Sequence, residues 1–176
     1  TGLVPVLIDG DRTIWDSLVF VLYLAERNDG VWPVDGAARA FATSAVCEMH
    51  GGFSALRNDC TMNVGVRVES HPPSAALAQN VARNREIFET ALDRFDGPWL
   101  GGPAFTALDA FYAPVAYRIR TYDLNVGRGR EWVDRILAHP AMQEWEVAAL
   151  AEDWRETSHE EELAAAGRIL ADHRNN

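Results

Sequence analysis

The sequence predicts an α+β chain, with a small amino-terminal unit of two strands and one helix ahead of an all-α helical bundle. Three observations carry that expectation. Asp9-Gly10 stands between two short apolar runs, the signal of a tight hairpin, because this pair tolerates the positive φ such turns demand. From Asp35 onward only helical patterns follow. Finally, Phe105 to Tyr117 opens with a cap signal and then runs apolar on nearly every face, as in a helix enclosed by others.

Taken in order, Leu3-Val4-Pro5-Val6-Leu7-Ile8 reads as a strand and Arg12 to Trp15 as its returning partner. Pro5 is out of place in a paired central position and is expected at a bulge or an unusual bond. Asp16-Ser17 starts a helix through about Asn28, with Leu18, Val21, Leu22 and Ala25 on one face. Val31-Trp32-Pro33-Val34 connects the two units, so the domains are expected at 1–30 and 35–176. A helix is expected from about Asp35 to Arg57, and another, capped by Ser74, to about Phe95. Shorter helices follow at about Gly129–Ala138 and at Pro140–Ala151, where a proline takes the first position. The acidic stretch from Thr157 to about Asp172 is expected as a last surface helix.

The central helix has its own signature. Thr106 and Asp109 form a variant of the capping box, in which hydroxyl and carboxylate each satisfy a backbone N–H. Phe105 is placed to staple onto Ala110, and Pro114 is expected to bend the helix or remove one bond of its ladder. This reading makes Thr106 and Asp109 structural.

Composition narrows the function classes. A net charge of −10 argues against a nucleic-acid surface, though not against a local pocket for a small anion. Two cysteines, Cys47 and Cys60, fit a reducing, cytoplasmic setting better than a disulfide framework, and Cys47 is expected in the core. No apolar run has the length of a membrane span. Gly127-Arg128-Gly129-Arg130 lacks the spacing of a phosphate loop, and His159-Glu160-Glu161-Glu162 is not a metal motif, so no metal is expected. A lone hairpin with one helix is marginal in water and leaves an unpaired apolar edge. The amino-terminal unit is therefore expected to be completed by preceding strands or by another chain.

These residues resemble the cytosolic glutathione S-transferase superfamily. Gly2 to Gly10, Ile14-Trp15-Asp16-Ser17 and Tyr23-Leu24-Ala25-Glu26-Arg27 look like the second half of its thioredoxin-like domain. Trp99-Leu100-Gly101, the capped helix, and His139-Pro140-Ala141-Met142 with Trp145 look like its helical domain. The resemblance implies a partial thioredoxin-like α/β unit followed by the helical bundle, and a homodimer lined by the Asp16–Asn28 and Asp35–Arg57 helices. It also implies glutathione as a substrate. The backbone of Val4, fixed by a cis Pro5, pairs with the peptide, and Asp16 and Ser17 hold its γ-glutamyl end. The family usually has Glu or Gln where Asp16 stands, which shortens the reach to the ammonium.

Glu48-Met49-His50-Gly51-Gly52-Phe53-Ser54-Ala55-Leu56 resembles a run in bacterial beta-class members whose histidine lies near the glutathione sulfur. That makes His50 the candidate catalytic residue, a donor that stabilises the thiolate. Gly51 stands where those members often carry a lysine. Met49, Phe53, Tyr112 and Tyr117 are the candidates for an apolar acceptor pocket. The family's principal thiol-activating residue belongs to a first strand–helix–strand that this sequence lacks, implying about 40 further residues. The function expected is transfer of glutathione to a small, largely apolar electrophile. The alternative is a non-catalytic binding or regulatory protein of the same fold.

Overall fold

The structure, a computed structural model, describes residues 2–174. Two strands, β1 (Val6–Asp9) and β2 (Arg12–Trp15), form an antiparallel hairpin with Val6 opposite Trp15 and Asp9 opposite Arg12. Helix α1 (Ser17–Ala25) packs on it. The Tyr23 hydroxyl donates to Asp9 at 2.5 Å and accepts from Arg12 at 3.2 Å, so both ends of the hairpin turn are tied to the helix. Leu18, Val21 and Ala25 of α1 pack against the helical core, while Leu22 of the same expected face stays exposed.

The expected Asp35–Arg57 helix is two helices. α2 (Gly36–Gly51) ends at Gly52, where any Cβ would come within 2.6 Å of the Glu48 carbonyl. Phe53 then takes a left-handed conformation (φ 58°) that starts α3 (Ser54–Asp59). α4 (Ala75–Arg94) begins where expected, with Ser74 Oγ accepting from the Leu77 N–H at 3.1 Å. α5 (Ala107–Tyr122) is the central helix and contains Pro114. α6 (Gly129–Leu137) buries Trp132, Val133, Ile136 and Leu137 on one face, and α7 (Pro140–Ala151) opens on its proline.

The helical region is not free of strands, which corrects the sequence reading. β3 (Val66–Ser70) lies between α3 and α4, and the expected last helix stops early as α8 (Thr157–Ala166) before continuing as β4 (Gly167–Asp172). The two strands pair antiparallel with an irregularity between Arg67 and Val68. The physical reason lies in Val66-Arg67-Val68-Glu69, whose alternation buries both valines. The overall α+β class stands.

Asp109 sits at the centre of the core with no exposed surface. Both halves of the capping box are in place, and its Oδ2 accepts from the Thr106 N–H at 3.0 Å. Its Oδ1 accepts from the Leu100 N–H at 3.0 Å and from the Trp132 indole at 2.9 Å. Phe105, just ahead of the cap, stacks on His139 and meets Trp99 edge-on. The linker is anchored to the same helix, the Ala107 N–H donating to Val31 at 2.8 Å. This ties the segment after α1 to the first residue of α5.

Candidate functional site

Where α1 crosses the end of α2 and the middle of α5, the chain leaves a cavity of about 520 Å³. Ser17, the first residue of α1, lines one side. Met49 and His50, from the last turn of α2, line another. Ala110, Phe111 and Pro114 supply an apolar wall from the one face of α5 that the core leaves uncovered. Three candidate residues from two distant parts of the sequence therefore meet in one cleft.

Asp16 stands just behind Ser17. It caps α1 through Oδ1, which accepts from the Leu18 N–H at 2.9 Å, with a positive φ (76°) rare outside glycine. Its Oδ2 lies 3.0 Å from His50 Nε2, a contact across 34 residues of sequence. The histidine contact, with the Leu18 N–H behind it, holds the Asp16 carboxyl below its ordinary pKa. The His50 ring also meets Phe111 edge-on, with centroids 6.4 Å apart.

Arg57 is a site residue that sequence reasoning missed. The break at Gly52–Phe53 turns α3 back, and Arg57 Nη2 and Nε donate to the carbonyls of Met49 and Gly52 at 2.7 and 3.1 Å. It lines the same cavity as His50. An arginine in the last turn of α3 was visible in the sequence. Its aim depends on a helix break the pattern did not reveal.

Other candidates are placed differently. The Val4–Pro5 bond is cis and Val4 is 92% exposed, but neither residue lines the cavity. Phe53 is buried at the turn into α3. Tyr112 and Tyr117 lie in the helical core with no exposed surface, their hydroxyls donating to the carbonyls of Ala45 and Met142 at 3.0 and 3.1 Å. Burial raises the pKa of both phenols. Of the four residues expected in an acceptor pocket, Met49 reaches the cleft, and Phe111 takes the place expected of a tyrosine. Cys47 is exposed, not core, while Cys60 is buried.

Among the described residues no group of three His, Cys, Asp or Glu side chains is placed to hold a metal ion. No helix there is long and apolar enough to cross a membrane.

The fold is that of the glutathione S-transferases. Residues 74–146 match the family model described as "Glutathione S-transferase, C-terminal domain". The Tau class glutathione S-transferase from mango, Mangifera indica, superposes with a TM-score of 0.62 at 21% identity, covering 92% of this chain and 74% of that one. A theta class enzyme from Xanthomonas axonopodis pv. citri, solved with glutathione bound, superposes at 0.56 with 24% identity, covering 81% and 72%. At such identities the likeness is one of fold. A stretch of 29 residues is 59% identical to dichloromethane dehalogenase of Methylophilus leisingeri, spanning 16% of this chain and 11% of that protein.

Proposed function

We propose that the protein is a glutathione transferase: it binds glutathione in the cleft between α1, α2 and α5, and directs its thiol at a small, largely apolar electrophile. One observation carries this reading, the meeting of Ser17 at a helix start with Met49 and His50 in a single cavity walled by Phe111 and Pro114. A helix N-terminus with a hydroxyl at its first residue suits the γ-glutamyl carboxylate, and Asp16 suits the adjacent ammonium. The exposed backbone beside Pro5 offers an edge to an extended peptide. The anchored Arg57 supplies positive charge near the thiol, and the apolar wall takes the electrophile. The short match to a dehalogenase makes a halogenated alkane the first electrophile to try.

Assembly and setting follow the same reading. Val19 and Leu22 leave exposed apolar surface on one face of α1, which supports a homodimer lined by α1 and α2. Val6, Ile8 and Trp15 leave a second exposed apolar face on the hairpin. Two unpaired cysteines suit a reducing cytoplasm.

Calorimetric titration of the full-length protein with glutathione tests the reading. Binding that weakens roughly ten- to a hundredfold in Ser17→Ala is expected, the size of one hydrogen bond to a charged group. No binding by the parent would sink it. Binding without turnover of aryl or alkyl halides would leave a non-catalytic binding protein.

A further inference from the structure

We propose that His50 is a positioning residue for Asp16 and acts on the γ-glutamyl end of the peptide, not on its sulfur. This rests on the glutathione reading above and changes the role the sequence suggested for His50. The Nε2–H that would reach a thiolate already faces the Asp16 carboxylate at 3.0 Å. One N–H pointed at Oδ2 is not also available to a sulfur. In an extended γ-glutamyl-cysteinyl unit the ammonium and the sulfur lie at opposite ends. A ring held against the ammonium's acceptor therefore stands away from the thiol.

The arrangement around the pair fits positioning. Asp16 is the shorter carboxylate at this place, and its φ is positive. Oδ1 is committed to the Leu18 N–H at 2.9 Å, so Oδ2 is the oxygen left for an ammonium. Without a second contact that carboxylate, whose side chain is 43% exposed, would be held by the cap bond alone. His50 supplies that contact and is itself braced edge-on by Phe111. A carboxylate oxygen has two lone pairs, so Oδ2 can keep the imidazole and still accept from the ammonium. The ring fixes the aspartate so that less conformational freedom is lost on binding.

The test uses two ligands on the full-length protein: glutathione, and S-methylglutathione, which has no ionisable thiol. His50→Ala is expected to weaken both by the same factor, about three- to tenfold. In an Asp16→Asn background the same substitution should add little, because both changes remove one interaction. His50→Gln, whose amide can donate to Oδ2, should keep most of the affinity, which separates positioning from loss of fold. The proposal fails if His50→Ala binds S-methylglutathione as the parent does while the thiol pKa of bound glutathione rises. It fails equally if the two substitutions are additive. A parent protein that binds neither ligand overturns the glutathione reading itself, whereas parent binding unaffected in His50→Ala overturns the role of His50 alone.

Discussion

The Trp132 indole N–H donates to Asp109 Oδ1 at 2.9 Å, and neither side chain has any exposed surface. With this bond one carboxylate joins three pieces of the fold: the start of α5, the loop at Leu100 and the middle of α6. The sequence showed only the first of these, because a capping box is local and the other two donors are not.

The three donors set the cost of losing Asp109. An ordinary helix cap is worth about 1 kcal/mol. Asp109→Ala would also strand the Leu100 N–H and the Trp132 indole in a dry core, each uncompensated donor costing about 1–3 kcal/mol. We expect Asp109→Ala to lose about 3–5 kcal/mol, and Trp132→Phe clearly less, since the carboxylate then keeps two donors. Urea denaturation measures both. A loss of only 1 kcal/mol in Asp109→Ala would mean that the cap alone matters.

Burial raises the Asp109 pKa, and its N–H donors pull it part of the way back. For an acid raised on folding, the contribution to stability is fully present below the unfolded pKa, about 3.9, and is lost as pH rises through the folded value. Asp109→Asn keeps an acceptor for Leu100 and Trp132 but does not titrate. Its stability relative to the parent should therefore improve as pH rises from about 4 towards 7. Parallel denaturation at several pH values checks this. A constant difference would show that the hydrogen bonds fully offset burial.

What was legible followed from local rules. Asp9-Gly10 gave the hairpin, Ser74 the start of α4 and Pro140 the start of α7, each from its own few residues. β3 and β4 were missed because their partners lie about a hundred residues apart and Gly167 to Asp172 follows directly on a helical pattern. The cleft was half legible. Ser17, Met49 and His50 carry recognisable chemistry, but α5 is apolar all round, so its composition could not say that Phe111 and Pro114 face the cavity while Tyr112 and Tyr117 face the core.

The cysteines offer a direct check on the orientation of α2. Cys47 is exposed, whereas Cys60 is buried with its thiol pushed up to about 11 by desolvation. A thiol reagent at pH 8 should modify one cysteine quickly in the native protein and the second only on unfolding. Cys47→Ser should abolish the fast phase. Two fast thiols would contradict the packing of Cys60.

Arg57 is the cation of the cleft, and its contribution can be separated from its structural task. Its Nε and Nη2 cap the carbonyls of Gly52 and Met49, an interaction worth about 0.3–1 kcal/mol at a helix C-terminus. The same bonds hold its charge beside the cavity before any ligand arrives, so little side-chain entropy is lost on binding. A fixed positive charge near the sulfur favours thiolate over thiol. It can supply what the lysine absent at Gly51 would have given. Arg57→Ala is therefore expected to raise the thiol pKa of bound glutathione and to slow conjugation about tenfold at neutral pH, with only a small loss of melting temperature. Arg57→Lys should restore much of the thiolate while still losing part of the cap, since one ammonium does not reproduce the two-pronged contact. Thiolate absorbance of the bound peptide, followed against pH in the three proteins, distinguishes the tasks. If Arg57→Ala melts earlier but leaves the thiol pKa at the parent value, Arg57 caps the end of α2 and takes no part in activating the thiol.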